Sequence, residues 1–372
     1  MPEALDPRFY AVGPQNYDAL LVVSFGGPEG PDDVSPFLDN VFRGLRVSDE
    51  TKQKIAARYH DFGGVSPINA HTREFIAVLR QLLDHEGPAL PIYWGNRNWH
   101  PLLPDTLAQM ARDGIGRAAA YVTSTFSSYS GCRKYREDLA EAITGLENAP
   151  IVDKLRVGFN HPGFVVAAAA RLEEAFAKLP ARRRKQAGLL FTAHSLPESM
   201  AQASPYVAQL EEAALLVAAT VKRPDWRLVY QSNNARYGGE PWLGPDIGDA
   251  LEHQVRAGRK DVVVMPLGFV CDHMEVVLDL DVDAERRAER AGIHMVRAGT
   301  VGTHPSYVAM VRDLLVERMT GTGTRRVLGE LPPKHDFCPA DCCLPGRPGP
   351  LRAALAGSAH SAYRRGEGGS TE

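Results

Sequence analysis

Three carboxylates recur at every fourth residue in the stretch GFVCDHMEVVLDLDVDAERRAER. Glu275, Asp279 and Asp283 stand at positions i, i+4 and i+8, so they fall on one face of a helix. Asp272 and Asp281 add further acid nearby. Like charges at this spacing repel one another. A fully solvated helix face would tolerate that repulsion, but the valines and leucines between the acids leave little room for such a face. The pattern therefore favours a row that attracts a divalent cation or carries protons away.

His194 is the strongest single candidate for a role in chemistry, since it directly follows the apolar run in AGLLFTAHSLP. A lone histidine in such a turn can simply be a hydrogen-bonded structural residue. Opposite Glu275, however, a neutral imidazole can accept a proton near neutral pH or ligate a divalent metal ion. The sequence leaves both roles open, and the pair suits a site that moves metal and protons in opposite directions.

The segment FCPADCC gathers three of the five cysteines of the chain, Cys338, Cys342 and Cys343. A [2Fe-2S] cluster ligated by cysteine needs a fourth thiolate, for which Cys132 and Cys271 are both candidates. A zinc site or an unused group of thiols is the alternative. Adjacent cysteines strain a single tetrahedral zinc, whereas they can each bind one iron of a two-iron cluster.

The composition is that of an ordinary globular protein, and the charge balance excludes one class of partner. The 372 residues are 44% hydrophobic and 23% charged, with a net charge of -3 and a pI of about 6.5. Without a strong basic field, we expect no nucleic-acid partner. No apolar run reaches the roughly 18 residues of a membrane span, and we see no signal peptide. We expect a cytoplasmic protein, in which clustered cysteines are metal ligands or catalytic thiols.

Six short apolar runs alternate with helical patterns along the chain. The runs are continuously apolar and β-rich, which is typical of parallel strands buried on both faces. They lie at 18–28, 91–98, 117–128, 187–197, 226–234 and 260–273. The helical patterns between them indicate βαβ units.

The alternation repeats, so the predicted fold is α/β with two Rossmann-like parallel-sheet domains in a pseudo-twofold relation. The N-terminal half covers residues 1–150, and the C-terminal half, with the histidine and the acid row, covers residues 151–320. Residues 321–345 form a cysteine-bearing segment. The small polar residues of 346–372 predict a disordered tail.

Ligands of open α/β sheets bind beyond the carboxyl ends of the strands. The first run ends in Ser24-Phe25-Gly26-Gly27-Pro28, where paired glycines let the backbone approach a ligand closely. None of the strand ends carries GxGxxG, so a dinucleotide site is not supported.

Several motifs together resemble the ferrochelatase family: SFGGPEGPDDVSPFL, FGGVSPIN, TAHSLP and GFVCDHMEVVLDLD. The resemblance covers residues 18 to 343 with the motifs in the same order. WGNRNW, YSGCRKYRED and CPADCC are similar to the actinobacterial branch, which resembles enzymes that insert Fe(II) into coproporphyrin III to give coproheme. The resemblance implies a class II chelatase-like fold of two Rossmann-like domains, with a porphyrin cleft between them.

The resemblance also implies roles for individual residues. His194 and Glu275 would be catalytic and would contact the Fe2+ substrate, and Asp279 and Asp283 would form a path for protons or metal. The implied porphyrin-binding residues are Phe25, Gly26, Arg58, Ser66 and Tyr135. Phe25 stands where some relatives have a tyrosine that ligates iron, and phenylalanine cannot ligate.

For the cysteines, the resemblance selects Cys132 over Cys271 as the fourth ligand of a [2Fe-2S] cluster with Cys338, Cys342 and Cys343. We expect a monomer. Three alternatives stay open at this point: a protoporphyrin ferrochelatase, a cobalt or nickel tetrapyrrole chelatase, and a bilobal metal-binding protein without catalysis. The preference for coproporphyrin follows from the resemblance alone, and no single residue dictates it.

Overall fold

Two four-stranded parallel sheets form the framework of the chain. The computed structural model describes residues 13–45, 47–235, 239–321 and 324–355. The strands of the first sheet are β1 (Ala19–Ser24), β2 (Ile92–Asn96), β3 (Arg117–Val122) and β4 (Ile151–Lys154). Those of the second are β5 (Gly188–His194), β6 (Arg227–Gln231), β7 (Asp261–Met265) and β8 (His294–Arg297). The predicted α/β class with two parallel sheets is confirmed.

Each sheet separates two apolar cores, which explains why its strands are apolar without interruption. In β1, Leu20 and Val22 enter a large central core, whereas Leu21 and Val23 enter a second core on the opposite face. All six residues of β1 are buried. Side chains of a strand alternate between faces, so burial of both faces removes the polar half of the usual alternation.

The two sheets repeat one topology. The first has the strand order β2-β1-β3-β4 and the second has the order β6-β5-β7-β8. In each sheet the first strand along the chain pairs with the second and the third, and the fourth strand forms an edge. This identity of order supports the predicted pseudo-twofold relation.

Two strands escaped the sequence prediction, β4 with the sequence IVDK and β8 with HMVR. Both have four residues and carry charges, so neither shows a continuous apolar run. β4 pairs with β3 and therefore belongs to the first sheet. The change from one sheet to the other thus falls after Lys154, slightly beyond the boundary expected at residue 150.

The helices connect the strands and cover the sheets. They are α1 (Val34–Val41), α2 (Asp49–His60), α3 (Ile68–Glu86), α4 (Leu103–Arg112), α5 (Lys134–Ile143), α6 (Pro162–Lys178), α7 (Ala181–Arg184), α8 (Glu198–Gln202), α9 (Tyr206–Thr220), α10 (Ile247–Arg256), α11 (Met274–Val276), α12 (Glu285–Arg290) and α13 (Pro305–Thr320). A 3-10 turn spans Pro31–Asp33, and π-helical segments span Tyr129–Arg133 and Val277–Ala284. Across the described ranges, no helix has the length and apolarity needed to cross a membrane.

The two halves share one apolar core, in which α13 packs against α6 and α3. Aromatic rings from both halves meet there. The Phe75 and Tyr307 ring centroids are 6.1 Å apart and those of Phe126 and Phe164 are 5.9 Å apart. The Tyr121 and Tyr307 hydroxyls form a buried hydrogen bond. The two halves are therefore joined by a shared aromatic core.

The C-terminal segment 324–355 docks on the body without forming a helix or strand of its own. Buried polar contacts hold its first part. Arg318 lies 3.6 Å from Asp153 and 3.8 Å from Asp336, and its guanidinium stacks 3.7 Å from the Phe337 ring. Asn160 donates to the Leu331 carbonyl at 2.8 Å. Of the tail predicted to be disordered, residues 356–372 lie outside the described residues.

His161 is a buried, neutral histidine that caps α6. Its Nδ1 accepts a hydrogen bond from the Gly163 N–H at 3.0 Å, and its ring is 1% exposed. Burial, with Arg156 and Arg326 nearby, lowers the pKa of His161 to about 3. Protonation of Nδ1 would also abolish its role as an acceptor, so the folded state requires the neutral ring.

We expect H161N to reduce the sensitivity of the fold to acid. Because the folded pKa lies below the usual 6.5, the neutral ring's contribution is fully present above pH 6.5 and is lost as pH falls towards 3. The loss amounts to at most about 1.4 kcal/mol per pH unit. Asparagine can still cap the helix but does not titrate. Melting temperatures of both proteins at pH 7.5 and 4.5 would test this, and equal losses on acidification would contradict it.

Candidate active site

His194 is the last residue of β5, and its imidazole lies beyond the carboxyl end of the second sheet. Nδ1 lies 2.5 Å from the Ser195 carbonyl oxygen. Since a carbonyl can only accept, Nδ1 carries a hydrogen, and in the neutral tautomer the lone pair is therefore on Nε2. The Tyr206 hydroxyl donates to the His194 carbonyl at 3.0 Å, which fixes the backbone beneath the ring. Nε2 faces Glu275, whose Oε2 is 3.6 Å away.

Glu275 stands in the first turn of α11, after β7, the neighbour of β5 in the sheet. Its backbone N–H donates to Nδ1 of His273 at 3.2 Å. Met274 and Val276 on either side are buried, so the glutamate side chain is left at the open side, 49% exposed. The two residues that sequence reasoning selected therefore lie together. Nδ1 of His273 accepts this hydrogen bond as a helix cap, so this nitrogen is not available as a second metal ligand beside His194.

Asp279 and Asp283 continue from Glu275 along the π-helical segment Val277–Ala284, with graded exposure. The Asp279 side chain is 17% exposed and that of Asp283 is 47% exposed. The Ser232 hydroxyl donates to Asp279. Burial, only partly offset by Ser232 and Arg58, raises the pKa of Asp279 to about 6. This carboxyl can therefore take up and release protons close to neutral pH.

Arg58 links the two halves at this acid row. Its Nη2 lies 2.8 Å from Oδ2 of Asp283 and 3.7 Å from Oδ1 of Asp279. The porphyrin contact that the resemblance implied for Arg58 stays a prediction, and its guanidinium lies on the two carboxylates. α2 of the N-terminal half thereby supplies the counter-charge for the row.

Asp272 and Asp281 do not join the row, although the sequence places them next to it. Arg297 on β8 binds both carboxylates, with Nη2 3.0 Å from Asp272 and 2.9 Å from Asp281. The second sheet thus neutralises these two acids. Among the acids of this stretch, Glu275, Asp279 and Asp283 are the ones that share the row.

The remaining predicted porphyrin-binding residues lie in the first half, near the carboxyl ends of β1 and β2. The Phe25 ring packs edge-on to Phe37 at 6.3 Å. Gly26 has φ +79°, and a Cβ there would lie 2.8 Å from the Asn96 Cβ, so only glycine fits this close turn. Ser66 is buried and its N–H donates to the Pro28 carbonyl at 2.8 Å. Phe25, Gly26 and Ser66 therefore shape the surface at this edge of the first sheet.

Tyr135 and Arg97 form a stacked pair beside this edge of the first sheet. The Arg97 guanidinium lies 4.7 Å from the Tyr135 ring and 5.6 Å from the Phe25 ring, and its Nε lies 2.5 Å from Asp138. Tyr135 is 5% exposed, so Arg97 stands between it and Phe25. Sequence reasoning missed Arg97. The signal was an arginine directly after an apolar strand, in WGNRNW, at the edge where ligands bind.

Four cysteines meet at a separate place, between the π-helical segment Tyr129–Arg133 and the C-terminal segment. Cys132, Cys338 and Cys343 are buried together with Cys342 against them, and the Cys342 and Cys343 sulfurs are 3.5 Å apart. None of the cysteines is in a disulfide. In the described part of the chain, no group of His, Cys, Asp or Glu is already arranged to hold a metal ion. The convergence of four free thiols nevertheless suits an iron–sulfur cluster as a donor set.

The thiols differ in their electrostatic setting. Hydrogen bonds from Cys132 and Cys342 lower the pKa of Cys338 well below its usual value, whereas the hydrogen bond with Cys338 raises the pKa of Cys132 and that of Cys342. Cys271 lies apart and lines a small cavity of about 20 Å³ with Tyr121 and Tyr307. Burial raises the pKa of Cys271 to about 12, which makes it an unreactive thiol. Cys132, and not Cys271, joins the cysteine group of the C-terminal segment.

Comparison with known proteins identifies the chain's family. The family model described as Ferrochelatase matches residues 17–319. The chain belongs to the ferrochelatase family. The resemblance of the sequence motifs is therefore confirmed, and the His194–Glu275 pair lies within the matched part of this ferrochelatase-family chain.

Curated relatives match nearly the whole chain. The protein named Ferrochelatase from Rhodopirellula baltica is 49% identical, over 89% of this chain and 95% of its own length. The Coproporphyrin III ferrochelatase of Frankia alni is 49% identical, over 94% and 92%, and that of Streptomyces griseus is 47% identical, over 91% and 96%. Among solved structures, SirB from Bacillus subtilis with Fe3+ aligns with a TM-score of 0.50 at 12% identity, over 82% of this chain and 96% of SirB. That likeness concerns the fold alone.

Asp279 gives a prediction about stability in this ferrochelatase-family protein. Its folded pKa of about 6 exceeds the usual 3.8, so its contribution is fully present below about pH 4 and is lost as pH rises through 6. The loss is at most about 3 kcal/mol. The D279N variant has no titrating carboxyl at this position. The melting temperature of the wild type should therefore fall relative to that of D279N between pH 4 and 7.5. D283N, which alters the more exposed carboxylate, is the matched control. A pH-independent difference between wild type and D279N would contradict the prediction.

Proposed function

We propose that this protein inserts Fe(II) into coproporphyrin III and forms coproheme. The observation that carries the proposal is the His194–Glu275 pair, with Nε2 and Oε2 3.6 Å apart at the edge of the sheet where ligands of such folds bind. The family supports iron insertion. The names of relatives at 44–49% identity support coproporphyrin III as the porphyrin.

Metallation replaces two pyrrole N–H protons of the porphyrin by one Fe2+, so a site must both deliver a cation and remove protons. His194 suits either task, because the Ser195 carbonyl holds its Nδ1 and the neutral tautomer then carries its lone pair on Nε2. Glu275 stabilises the imidazolium that forms when Nε2 takes a proton. The neutral ring and the carboxylate are also acceptable ligands for incoming Fe2+.

The acid row offers a way out for the protons. Asp279 and Asp283 follow Glu275 along the chain, with Asp279 17% exposed and Asp283 47% exposed. A carboxyl with a pKa of about 6 at Asp279 can accept a proton and pass it on without trapping it. The same negative charges would attract Fe2+ to the site.

One anaerobic assay tests the substrate and the roles together. Purified protein with Fe(II) should metallate coproporphyrin III with a higher kcat/KM than protoporphyrin IX, followed by the change in visible absorbance. H194A should reduce kcat by about 10²-fold or more, because a positioned base or ligand is lost, and E275Q should reduce it less.

The controls separate chemistry from binding. H85A removes an exposed histidine and should leave kcat unchanged, while quenching of porphyrin fluorescence should show that H194A still binds the substrate. A preference for protoporphyrin IX would overturn the substrate, and normal turnover by H194A would overturn its role.

We further propose that Cys132, Cys338, Cys342 and Cys343 hold a [2Fe-2S] cluster. The support is the burial of the four thiols in one group and the proximity of neighbouring sulfurs that a two-iron cluster requires. When bound, such a cluster supplies a one-electron redox centre. The ligands come from two distant segments, so they would also fasten the C-terminal segment to α5. The cytoplasmic location and the monomeric state stay predictions.

The cluster has a matched pair of test variants. Freshly purified wild type and C271S should be coloured and should contain iron and acid-labile sulfide. C132S should lose most of the visible absorption and the EPR signal of the reduced protein. A colourless wild type with stoichiometric zinc would refute the cluster, and a colourless C271S beside a coloured C132S would refute the choice of ligand.

A further inference from the structure

Arg136 is a buried cation placed directly beside the cysteine group. It lies four residues after Cys132 across the junction of the Tyr129–Arg133 segment with α5, and residues at this spacing share a helix face. Its side chain is among the most deeply buried of the chain, 1% exposed. A charged group is expensive to bury unless the surroundings compensate its charge, so its position calls for a physical reason.

Two of its three nitrogens have partners on the C-terminal segment. Nε donates to the Leu355 carbonyl at 2.5 Å and Nη2 donates to the Pro339 carbonyl at 3.1 Å. Pro339 follows Cys338 in the sequence, so the guanidinium stands between the helix that carries Cys132 and the loop that carries Cys338. These contacts position the group but leave its charge uncompensated, since carbonyls are neutral.

The third nitrogen, Nη1, is buried and has no hydrogen-bond partner among the described residues. Within the same ranges Arg136 also forms no ion pair with a carboxylate. Arg133, one turn away, differs in both respects. Its Nε pairs with Glu137 at 2.9 Å, and its other nitrogens donate to the carbonyls of Cys342 and Arg352. Arg133 is thus complete as it stands, whereas Arg136 lacks an anionic acceptor.

We propose that Arg136 compensates the charge of the iron–sulfur cluster and donates a hydrogen bond from Nη1 to one of its sulfurs. The inference rests on the proposed cluster. Two irons, two sulfides and four thiolates carry a net negative charge, which grows by one when a single electron is added. A buried guanidinium therefore stabilises the reduced form more than the oxidised form. Arg136 acts as a positioning and tuning residue, and it does not contact the porphyrin site.

The test measures the reduction potential of the cluster in the holoprotein, by titration with dithionite and redox dyes followed by visible absorbance. R136Q removes the positive charge but keeps an N–H donor. R136K keeps the positive charge but loses the planar guanidinium with its several N–H donors. R352Q is the matched control, because Arg352 belongs to the same segment but is 55% exposed and pairs with Glu141. We expect R136Q to lower the equilibrium constant for reduction about tenfold, which is about 59 mV for one electron. R136K and R352Q should stay close to wild type.

The outcomes are decisive in each case. If R136Q retains the wild-type potential, the inference is wrong although the cluster stands. If R136Q folds, as judged by circular dichroism and melting, but retains no cluster while R136K does, the role of the charge is supported. If neither variant retains a cluster while R352Q does, Arg136 serves packing and the inference is overturned. A wild type without iron and sulfide would instead refute the proposed cluster itself.

Discussion

The pairing of β5 with β7 is the constraint on which the candidate site depends. The strands are parallel, with Leu190 opposite Val264, so the chain leaves both at the same edge of the sheet. His194 ends one strand and Glu275 follows the other, which brings imidazole and carboxylate to 3.6 Å. A register shift of one residue would turn every side chain of β5 to the other face. The buried register of the sheet therefore protects the chemistry.

Sequence reasoning reaches this pair because its signals are local. β5 and β7 are continuous apolar runs, and the two candidate residues are tied to their ends, since His194 is the last residue of β5 and Glu275 lies in the first helix after β7. Arg97 offers no such local pattern, since its partners Phe25 and Tyr135 come from other parts of the first half. β4 and β8 were missed because short, charge-bearing strands rely on their neighbours for burial and lack an apolar run of their own. The features that could not be predicted are the contacts and short strands that depend on tertiary packing.

For the acid row too, the sequence predicts the positions of the residues but not their surroundings. The spacing of Glu275, Asp279 and Asp283 predicted one face, but not that each carboxylate has a different surrounding. Burial raises the pKa of Asp279 while Arg58 opposes it, and burial prevails. Arg58 reaches the row from α2 in the other half, a contact that depends on the packing of the two halves.

Hydrogen bonds from buried arginines to backbone carbonyls hold the segment that carries the cysteine group. The C-terminal segment has no helix or strand in its described part, so its backbone carbonyls need donors from elsewhere. Arg133 and Arg136 supply them, with Arg136 donating to Pro339 and Leu355. A buried guanidinium that loses its acceptors becomes a severe penalty. The segment and the two arginines therefore stabilise one another only together, and we expect the segment to dock as a unit or not at all.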